Sequence, residues 1–214
     1  MVLKRLKSSE SIPNEPKRGP MKVLLIAGMP GAGKSEAVKV AEEMGVPVVR
    51  MGDLVREEVV SRGFDLNRTN LASVASAARK KLGADIWARR TLPRIPRAPL
   101  VVIDGCRSLE EANFFRRTLG RSIFIVGIHA SPRSRWKRLR ERARRDDPKT
   151  PEEFRERDRQ ELEWGLGDVI ATADVMVVNE GRKGALRAQM RALLLGPISA
   201  DVSLKTETTF IEVE

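Results

Sequence analysis

A short apolar run that breaks into a glycine-rich turn constrains this chain more than any other feature. The aliphatic residues Val23 to Ala27 predict a buried β-strand. The turn that follows matches the pattern G-x-x-x-x-G-K-[ST] at every fixed position, as Gly28-Met29-Pro30-Gly31-Ala32-Gly33-Lys34-Ser35. Apolar residues then recur at helical spacing from Ala37 to Met44. A strand before the turn and a helix after it are the context that this pattern requires.

The chemistry of this turn predicts a site for a nucleotide's phosphates. Its glycines allow the backbone to bring several N–H groups close to one anion. The helix predicted to begin at Lys34 adds the positive end of its dipole to the same anion. The Lys34 ammonium is expected to reach the terminal phosphates, and the Ser35 hydroxyl is expected to hold Mg²⁺. ATP and Mg²⁺ are therefore the expected ligands.

Length and composition predict one globular domain. The chain has 214 residues, of which 41% are hydrophobic and 32% charged, enough for one α/β domain with a core. No apolar run approaches the length of a membrane span, and we expect no secretory signal. The single cysteine, Cys106, cannot form an internal disulfide and favours a reducing cytoplasm.

The formal net charge is +11, and it belongs to the middle of the chain. The basic segment 1–20 and the acidic segment 196–214 cancel each other, so residues 21–195 carry the whole excess. Such an excess indicates a site for several phosphates or a nucleic-acid surface, and a merely solvated surface is the third alternative.

The chain divides into three predicted parts. Residues 1–20 are polar and rich in proline, which is typical of a flexible basic leader, and translation could equally begin at Met21. Residues 21–195 form the predicted domain. Residues 196–214 are a C-terminal extension whose alternating pattern suggests edge strands.

The order of predicted elements indicates the fold class. After the first strand, continuous apolar runs predict four more strands at 46–49, 100–103, 123–128 and 175–178. Helical patterns cover 53–61, 67–91 with a break near Gly83, a segment capped by Ser108 with Glu111 as in a capping box, 133–145, 151–164, and a last helix to about Leu195. The alternation predicts a three-layer α/β fold, in which a five-stranded parallel sheet has helices on both faces. Ligands collect at the carboxyl ends of such strands.

Charged residues follow two of these strands directly. Asp104 ends the third strand, where it can hold a water of the Mg²⁺ shell, and Arg107 stands just beyond it. Asp53 and Arg56 follow the second strand in the same way, and a guanidinium there would bind a phosphate through its bidentate fork. The alternatives are a capping or turn role for both aspartates and a solvated position for Arg56.

An arginine-rich helix predicts a cover for the site. Arg138 and Arg142 are four residues apart and so share one helix face. A polar turn and a second helix with Arg155 and Arg157 follow. Two such helices make a short helical lid over a polyphosphate, while a solvated face or an RNA-binding stripe remain alternatives.

Together these motifs resemble those of the nucleoside monophosphate kinases, adenylate kinase above all. The motifs are the phosphate loop, Gly52-Asp53-x-x-Arg56, Asp104-Gly105-x-Arg107, Arg138-x-x-x-Arg142, and Arg144-x-Asp146-Asp147 followed by Arg155. The whole span from Met21 to Leu195 resembles an archaeal P-loop family related to adenylate kinase and dephospho-CoA kinase, on the runs Gly28 to Glu36 and Ala173-Asp174-x-x-x-x-Asn179-Glu180-Gly181.

The resemblance implies a role for each of these residues. Arg56 and Arg107, with Asp53, would bind the acceptor and its phosphate. A catalytic set of Lys34 and Asp104 would be completed by arginines that clamp the transferring group, namely Arg138, Arg142, Arg144 and Arg155. The loop through Glu36, together with Asn179, would bind the nucleotide. In this chain Arg142 and Arg144 are almost adjacent, so the inserted lid domain of long adenylate kinases is missing and the lid must be short.

The acceptor is predicted from the chemistry of its attacking atom. A nucleoside monophosphate attacks through an anionic oxygen and needs no base, whereas a hydroxyl acceptor such as dephospho-CoA needs a carboxylate, which Asp53 could supply. The Gly-Asp-x-x-Arg pattern favours the phosphate acceptor.

The expected protein is a cytoplasmic kinase, monomer or homodimer. The other alternative is a nucleic-acid-associated ATPase or regulator, and no switch or base-reading motif supports a GTPase.

Overall fold

The computed structural model describes residues 21–120, 123–144 and 146–196. The predicted leader over 1–20 and the predicted strands after Gly196 lie outside the described residues. Within the described part of the chain, no helix combines the length and the apolar character that crossing a membrane requires.

Five parallel strands form the central sheet, in the order β2-β3-β1-β4-β5. They are β1 (Lys22–Ala27), β2 (Val48–Arg50), β3 (Leu100–Asp104), β4 (Ile123–His129) and β5 (Val175–Val178). The central strand β1 pairs on both sides, so that Leu25 lies opposite Ile103 of β3 and Ile125 of β4. Its side chains from Val23 to Ala27 are fully buried, which explains the unbroken apolar run.

Helices cover both faces of the sheet. They are α1 (Lys34–Glu43), α2 (Met51–Ser61), α3 (Arg68–Leu82), α4 (Ile86–Thr91), a 3-10 turn (Leu92–Arg94), α5 (Leu109–Leu119), α6 (Pro132–Arg142), α7 (Pro151–Glu163), α8 (Leu166–Ala171) and α9 (Lys183–Leu195). Leu24 and Ile26 of β1 pack with α1 and α9, whereas Val23 and Leu25 pack with α2 to α5 and α8. The predicted three-layer α/β fold is therefore confirmed.

Some strand and helix boundaries differ from those predicted from the sequence. Strand β2 is Val48–Arg50 rather than 46–49, because these are the residues that pair with β3, with Arg50 opposite Asp104. Helix α6 ends at Arg142 because Ala143 adopts a left-handed conformation with φ of 46°. The short helix α8 was not predicted, since six residues are too few for a periodic pattern.

The Ser108 cap is confirmed, but the second hydrogen bond of a capping box is not formed. The Ser108 hydroxyl accepts a hydrogen bond from the Glu111 N–H at 3.2 Å. The Glu111 carboxylate does not return to the Ser108 N–H; it accepts from the N–H of Arg107 at 2.8 Å and from Arg79 at 2.8 Å. This buried carboxylate thereby ties the loop after β3 to helix α3.

Candidate active site

The phosphate loop lies at the carboxyl end of β1, and its glycines are required by close neighbours. Gly28, Gly31 and Gly33 have φ of 158°, 82° and 119°. A Cβ at Gly28 would lie 2.5 Å from the main-chain oxygen of Ile128 in β4, and one at Gly31 would lie 2.8 Å from that of Arg135 in α6. The loop can pass this close to β4 and α6 only without side chains.

Two side chains from later elements hold the loop in place. The Asn179 side chain, after β5, donates from Nδ2 to the oxygen of Ala32 at 2.7 Å. The buried Arg135 guanidinium donates to the oxygen of Pro30 at 3.2 Å and forms a bidentate pair with Asp158 of α7, at 2.8 and 2.6 Å. The loop is thus attached to α6, α7 and the segment before α9.

Lys34 begins helix α1, as predicted, and bends back over the loop. Its ammonium donates to the main-chain oxygens of Gly28 and Met29. Burial lowers the pKa of Lys34 from 10.5 to about 8, against the opposing effect of the nearby carboxylates of Asp104 and Glu161. A phosphate beside this ammonium would raise its pKa.

Asp104 ends β3 next to β1, where the sequence places it. Its Oδ1 is buried and has no hydrogen-bond partner within the described residues. Burial raises the pKa of Asp104, and the positive charge of Lys34 opposes that rise. The Ser35 hydroxyl lines the same cavity. One hydroxyl and one carboxylate suit Mg²⁺, which binds a few protein oxygens together with waters and substrate phosphates.

A cavity of about 480 Å³ brings part of the predicted site together. Its wall includes seven predicted site residues: Gly28, Lys34, Ser35, Arg56, Asp104, Arg107 and Arg144. Other charged residues on the wall were not assigned to the site from the sequence: Lys39, Glu42, Arg50 and Glu161. The phosphate loop, the oxygens predicted to hold Mg²⁺ and the arginines predicted to bind the acceptor therefore line one cavity.

A second cavity of about 160 Å³ adjoins the first between α2, α3 and α7. The two cavities share four lining residues, Gly52, Arg56, Arg107 and Glu161. The remaining wall combines apolar and polar side chains: Val55, Arg68, Leu71, Ala72, Asp146, Arg157, Gln160 and Trp164. A ligand that spans both cavities would meet arginines at the junction.

Arg107 is held at this junction from three directions. Its Nε lies 2.9 Å from Glu161 Oε2 in an ion pair, and its guanidinium lies over the Trp164 ring at 5.1 Å. Its main-chain N–H donates to Glu111 at 2.8 Å. Among the described residues, no group accepts a hydrogen bond from the two terminal nitrogens of Arg107, so its fork is available to an anion.

The predicted clamp arginines are mostly occupied by protein partners. Arg138 donates to the main-chain oxygen of Asn179 at 2.7 Å, while its Nη1 is buried and unpartnered among the described residues. Arg142 forms a bidentate pair with Asp147 at 2.8 and 2.5 Å. That pair lowers the pKa of Asp147 against the effect of its burial, and it raises the pKa of Arg142. Arg144 alone of this set lines the large cavity.

Several predicted site residues lie outside the lining of both cavities, among them Arg155, Asp53 and Glu36. Arg155 pairs with Glu152 at 2.5 Å, and its side chain is 68% exposed. Asp53 pairs with Arg56 at 2.9 Å, and its side chain is 54% exposed. The Glu36 carboxylate binds Lys183 and Arg187 and so joins α1 to α9.

The sequence assigned helix α7 to the lid, but Glu161 of this helix was missed as a residue of the site. Arg157 and Glu161 are four residues apart, so both lie on the face of α7 that lines the cavities. Burial lowers the pKa of Arg157, which lies between Asp146, Asp147 and Glu161. This i, i+4 pair was the available signal, but the exposed pair Arg159 and Glu163 on the same helix has the same spacing.

The chain is similar to one family model and to proteins of the UPF0200 group. Residues 27–155 match the family model described as AAA domain. The chain is 43% identical over 177 residues to a UPF0200 protein of Thermococcus gammatolerans, covering 80% of this chain and 93% of that protein. It is 50% identical over 163 residues to a UPF0200 protein of Methanopyrus kandleri, covering 74% and 81%.

Solved structures show the same fold. A shikimate kinase of Bacteroides thetaiotaomicron superposes with a TM-score of 0.55 at 20% identity, covering 81% of this chain and 98% of the kinase. A gluconokinase of Sinorhizobium meliloti superposes with a TM-score of 0.50 at 18% identity, covering 82% and 92%. At these identities the likeness shows the fold alone, which is that of the P-loop kinases.

Proposed function

This chain belongs to the UPF0200 family and has a P-loop kinase fold, and from that premise we propose that it is an ATP-dependent phosphotransferase. In this proposal the γ-phosphoryl group of Mg·ATP passes to a small phosphate-bearing acceptor, a nucleoside monophosphate. The observation that carries the proposal is that Lys34, Asp104 and Arg107 line one cavity.

The charges of the large cavity match the needs of phosphoryl transfer. Negative charge on the transferring group must be neutralised while the two phosphates are held in line. Lys34 is placed to bind the terminal phosphates of ATP from the phosphate-loop side. In this proposal Arg107 and Arg56, which line the same cavity, hold the acceptor's phosphate. Because these three cations line one cavity, that cavity could bind two anionic ligands side by side.

Asp104 and Ser35 are the residues that would hold Mg²⁺. When bound, the metal ion supplies charge neutralisation between the β- and γ-phosphates. The Ser35 hydroxyl would be a direct ligand, and Asp104 would accept a hydrogen bond from a water of the metal shell through its unpartnered Oδ1. The ammonium of Lys34 stands on the same side and offsets the aspartate's charge.

Helices α6 and α7 are proposed as the short lid. Helix α6 carries Arg138 and Arg142, the turn after it carries Arg144, and α7 carries Arg157, which lines the smaller cavity. Arg144 already faces the large cavity, and the unpartnered Nη1 of Arg138 is a donor that a ligand could satisfy. In this proposal the lid excludes water as the arginines gather around the phosphates.

A hydroxyl acceptor is less well supported than a phosphate acceptor. A hydroxyl must lose its proton to a base, and the sequence offered Asp53 for that task. The Asp53 carboxylate is instead paired with Arg56 near the surface. The arginines at the cavity junction favour an acceptor that is itself anionic.

A coupled assay with a panel of acceptors tests the proposal. The panel contains AMP, GMP, CMP, UMP and dephospho-CoA, each with Mg·ATP, and the products are separated by ion-exchange chromatography. We expect turnover of at least one nucleoside monophosphate, lost by about 100-fold or more in Lys34→Ala. Lys81→Ala, an exposed lysine at the end of α3, is the control. No phosphorylation of any monophosphate, or undiminished turnover by Lys34→Ala, would refute the proposal.

A further inference from the structure

Glu161 occupies the wall that the two cavities share. It lies in the last turn of α7, and its side chain is only 7% exposed. It is one of the four residues that line both cavities, together with Arg107, Arg56 and Gly52. Glu161 is therefore a buried carboxylate placed between the phosphate loop and the acceptor cavity.

One oxygen of this carboxylate lacks a hydrogen-bond donor. Glu161 Oε2 is buried, and no described residue donates a hydrogen bond to it. The Arg107 Nε lies 2.9 Å away, which makes an ion pair, but the N–H does not point at the oxygen as a hydrogen bond requires. A buried carboxylate oxygen without a donor is costly, so a ligand that supplies one gains affinity.

The neighbours of Glu161 define what such a ligand looks like. Arg107 and Arg157 are cations close to it, and Lys34 is near enough for the carboxylate to raise the pKa of the lysine. The fork of Arg107 is open to an anionic group. A ligand that fits both features has a negative charge at one end and an O–H or N–H donor close to it.

We propose that Glu161 is a specificity-determining residue of the acceptor site, where it accepts a hydrogen bond from an O–H or N–H group of the acceptor. This inference rests on the function proposed above and narrows its substrate class. The acceptor's phosphate pairs with Arg107, and its donor group meets Glu161 Oε2 in the smaller cavity. In a nucleoside monophosphate the donor is either a ribose hydroxyl or an N–H group of the base.

A simpler alternative makes Glu161 only a support for Arg107. The two roles predict different changes in acceptor affinity when Glu161 is mutated, both in direction and in which acceptors are affected. Removing the negative charge in Glu161→Gln makes the junction more positive, so a purely supporting role predicts equal or tighter binding of every anionic acceptor, or an equal loss for all of them. A recognition role predicts a loss only for acceptors that carry the donor.

Binding experiments with matched ligands distinguish these roles. Isothermal titration calorimetry measures the binding of AMP, GMP, CMP and UMP in the presence of Mg²⁺ and a non-hydrolysable ATP analogue. The 2′-deoxy counterparts remove a ribose donor, and IMP in place of GMP removes the exocyclic amine. The variants are Glu161→Gln and the control Glu163→Gln, an exposed glutamate in the same helix.

We expect Glu161→Gln to weaken the best acceptor by about 10-fold or more, the size of a hydrogen bond to a charged group. The analogue without the donor should bind wild type and Glu161→Gln equally, and the ATP analogue should bind both within twofold. Glu163→Gln should change none of these affinities. Equal effects of Glu161→Gln on an acceptor and on all its donor-deleted analogues would overturn the inference, as would the absence of any monophosphate binding.

Failure of the proposed function would look different. A monophosphate that binds with the expected dependence on Glu161 but is never phosphorylated by Mg·ATP would refute the kinase activity and leave the recognition role standing. Phosphorylation of a monophosphate whose binding does not depend on Glu161 would support the kinase activity and refute the recognition role.

Discussion

The side chain of Asn179 donates a hydrogen bond to the main-chain oxygen of Ala32, with 2.7 Å between Nδ2 and the oxygen. This contact joins the segment after β5 to the middle of the phosphate loop, across 147 positions of sequence. Asn179 in turn accepts a hydrogen bond from Arg138 of α6 through its main-chain oxygen. The loop geometry therefore depends on residues far from it in the chain.

Gly33 and Asn179 are expected to be energetically coupled. A Cβ at Gly33 would overlap the Asn179 side-chain nitrogen, and Gly33 has a φ of 119° that disfavours other residues. We expect Gly33→Ala to destabilise the protein by about 1–3 kcal/mol, and Asn179→Ala by about 1–2 kcal/mol through the lost hydrogen bond. The double variant should cost less than the sum, because alanine at 179 removes the overlap while the backbone strain stays. Urea unfolding measures all three, and strict additivity would contradict this coupling.

Lys34 should take up a proton when nucleotide binds above pH 8. Burial lowers its pKa from 10.5 to about 8, so above pH 8 the side chain is mostly neutral. A bound phosphate raises that pKa, and binding between about pH 8 and 10 must therefore consume a proton. ATP affinity should fall as the pH rises through this window.

Calorimetry in buffers of different ionisation enthalpy measures that proton uptake directly. At pH 8.5 the apparent binding enthalpy should depend on the buffer, while at pH 6.5 it should show little of this dependence from Lys34. Lys34→Met should abolish the difference between the two pH values. A wild-type enthalpy that is the same in every buffer at pH 8.5 would contradict the prediction.

Asp104→Asn should separate stability from metal binding. Burial raises the pKa of Asp104, so folding disfavours the ionised form, which is the form of an aspartate in the unfolded chain at pH 7. That penalty is present at neutral pH and disappears as the pH falls below the ordinary range of an aspartate. Without nucleotide, Asp104→Asn should therefore unfold at the same temperature as wild type, or a higher one, at pH 7.

The same variant should lose the metal-dependent part of nucleotide binding. A carboxylate that orients a water of the metal shell contributes about 10- to 100-fold to metal affinity. Thermal shifts with ATP alone and with Mg·ATP measure this part, and Asp104→Asn should show nearly equal shifts for both. A large shift that still requires Mg²⁺ would place the metal elsewhere.

Arg155→Ala and Arg157→Ala test which residue of α7 meets the substrate. Arg155 is paired with Glu152 at the surface, whereas Arg157 lines the smaller cavity. We expect Arg155→Ala to change turnover by less than twofold, because exposed pairs contribute little. Arg157→Ala should raise the KM of the acceptor by about 10-fold, and steady-state kinetics with circular dichroism as a folding control would show it. A larger loss in Arg155→Ala would support the clamp role that the resemblance implies.

The sequence predicted those site residues whose position is set by local chemistry. The spacing of Gly28, Gly33 and Lys34 specifies a loop between a strand and a helix, and the structure has that loop. Asp104 was found because it ends a buried strand, and parallel strands end at one edge of the sheet. For Asp53 the same argument was incomplete, since β2 runs directly into α2 and the side chain turns toward Arg56.

Helix α7 shows why the remaining site could not be predicted. Arg155 and Arg157 are two residues apart, a rotation of about 200° around the helix axis, so only one can face the cavities. The polar sequence of α7 has no apolar stripe strong enough to indicate which face is buried. Its packing beside α3 and the phosphate loop decides that Arg157 and Glu161 point inward.

By itself, then, the sequence determined the order of strands and helices, the parallel sheet and the phosphate loop, because apolar periodicity and glycine geometry act over a few residues. The tertiary structure alone decided which charges meet. It brought Glu161 to Arg107 and Asn179 to Ala32, and it left Arg155 at the surface. These pairings depend on the angles at which helices pack on the sheet, and no local pattern in the chain specifies those angles.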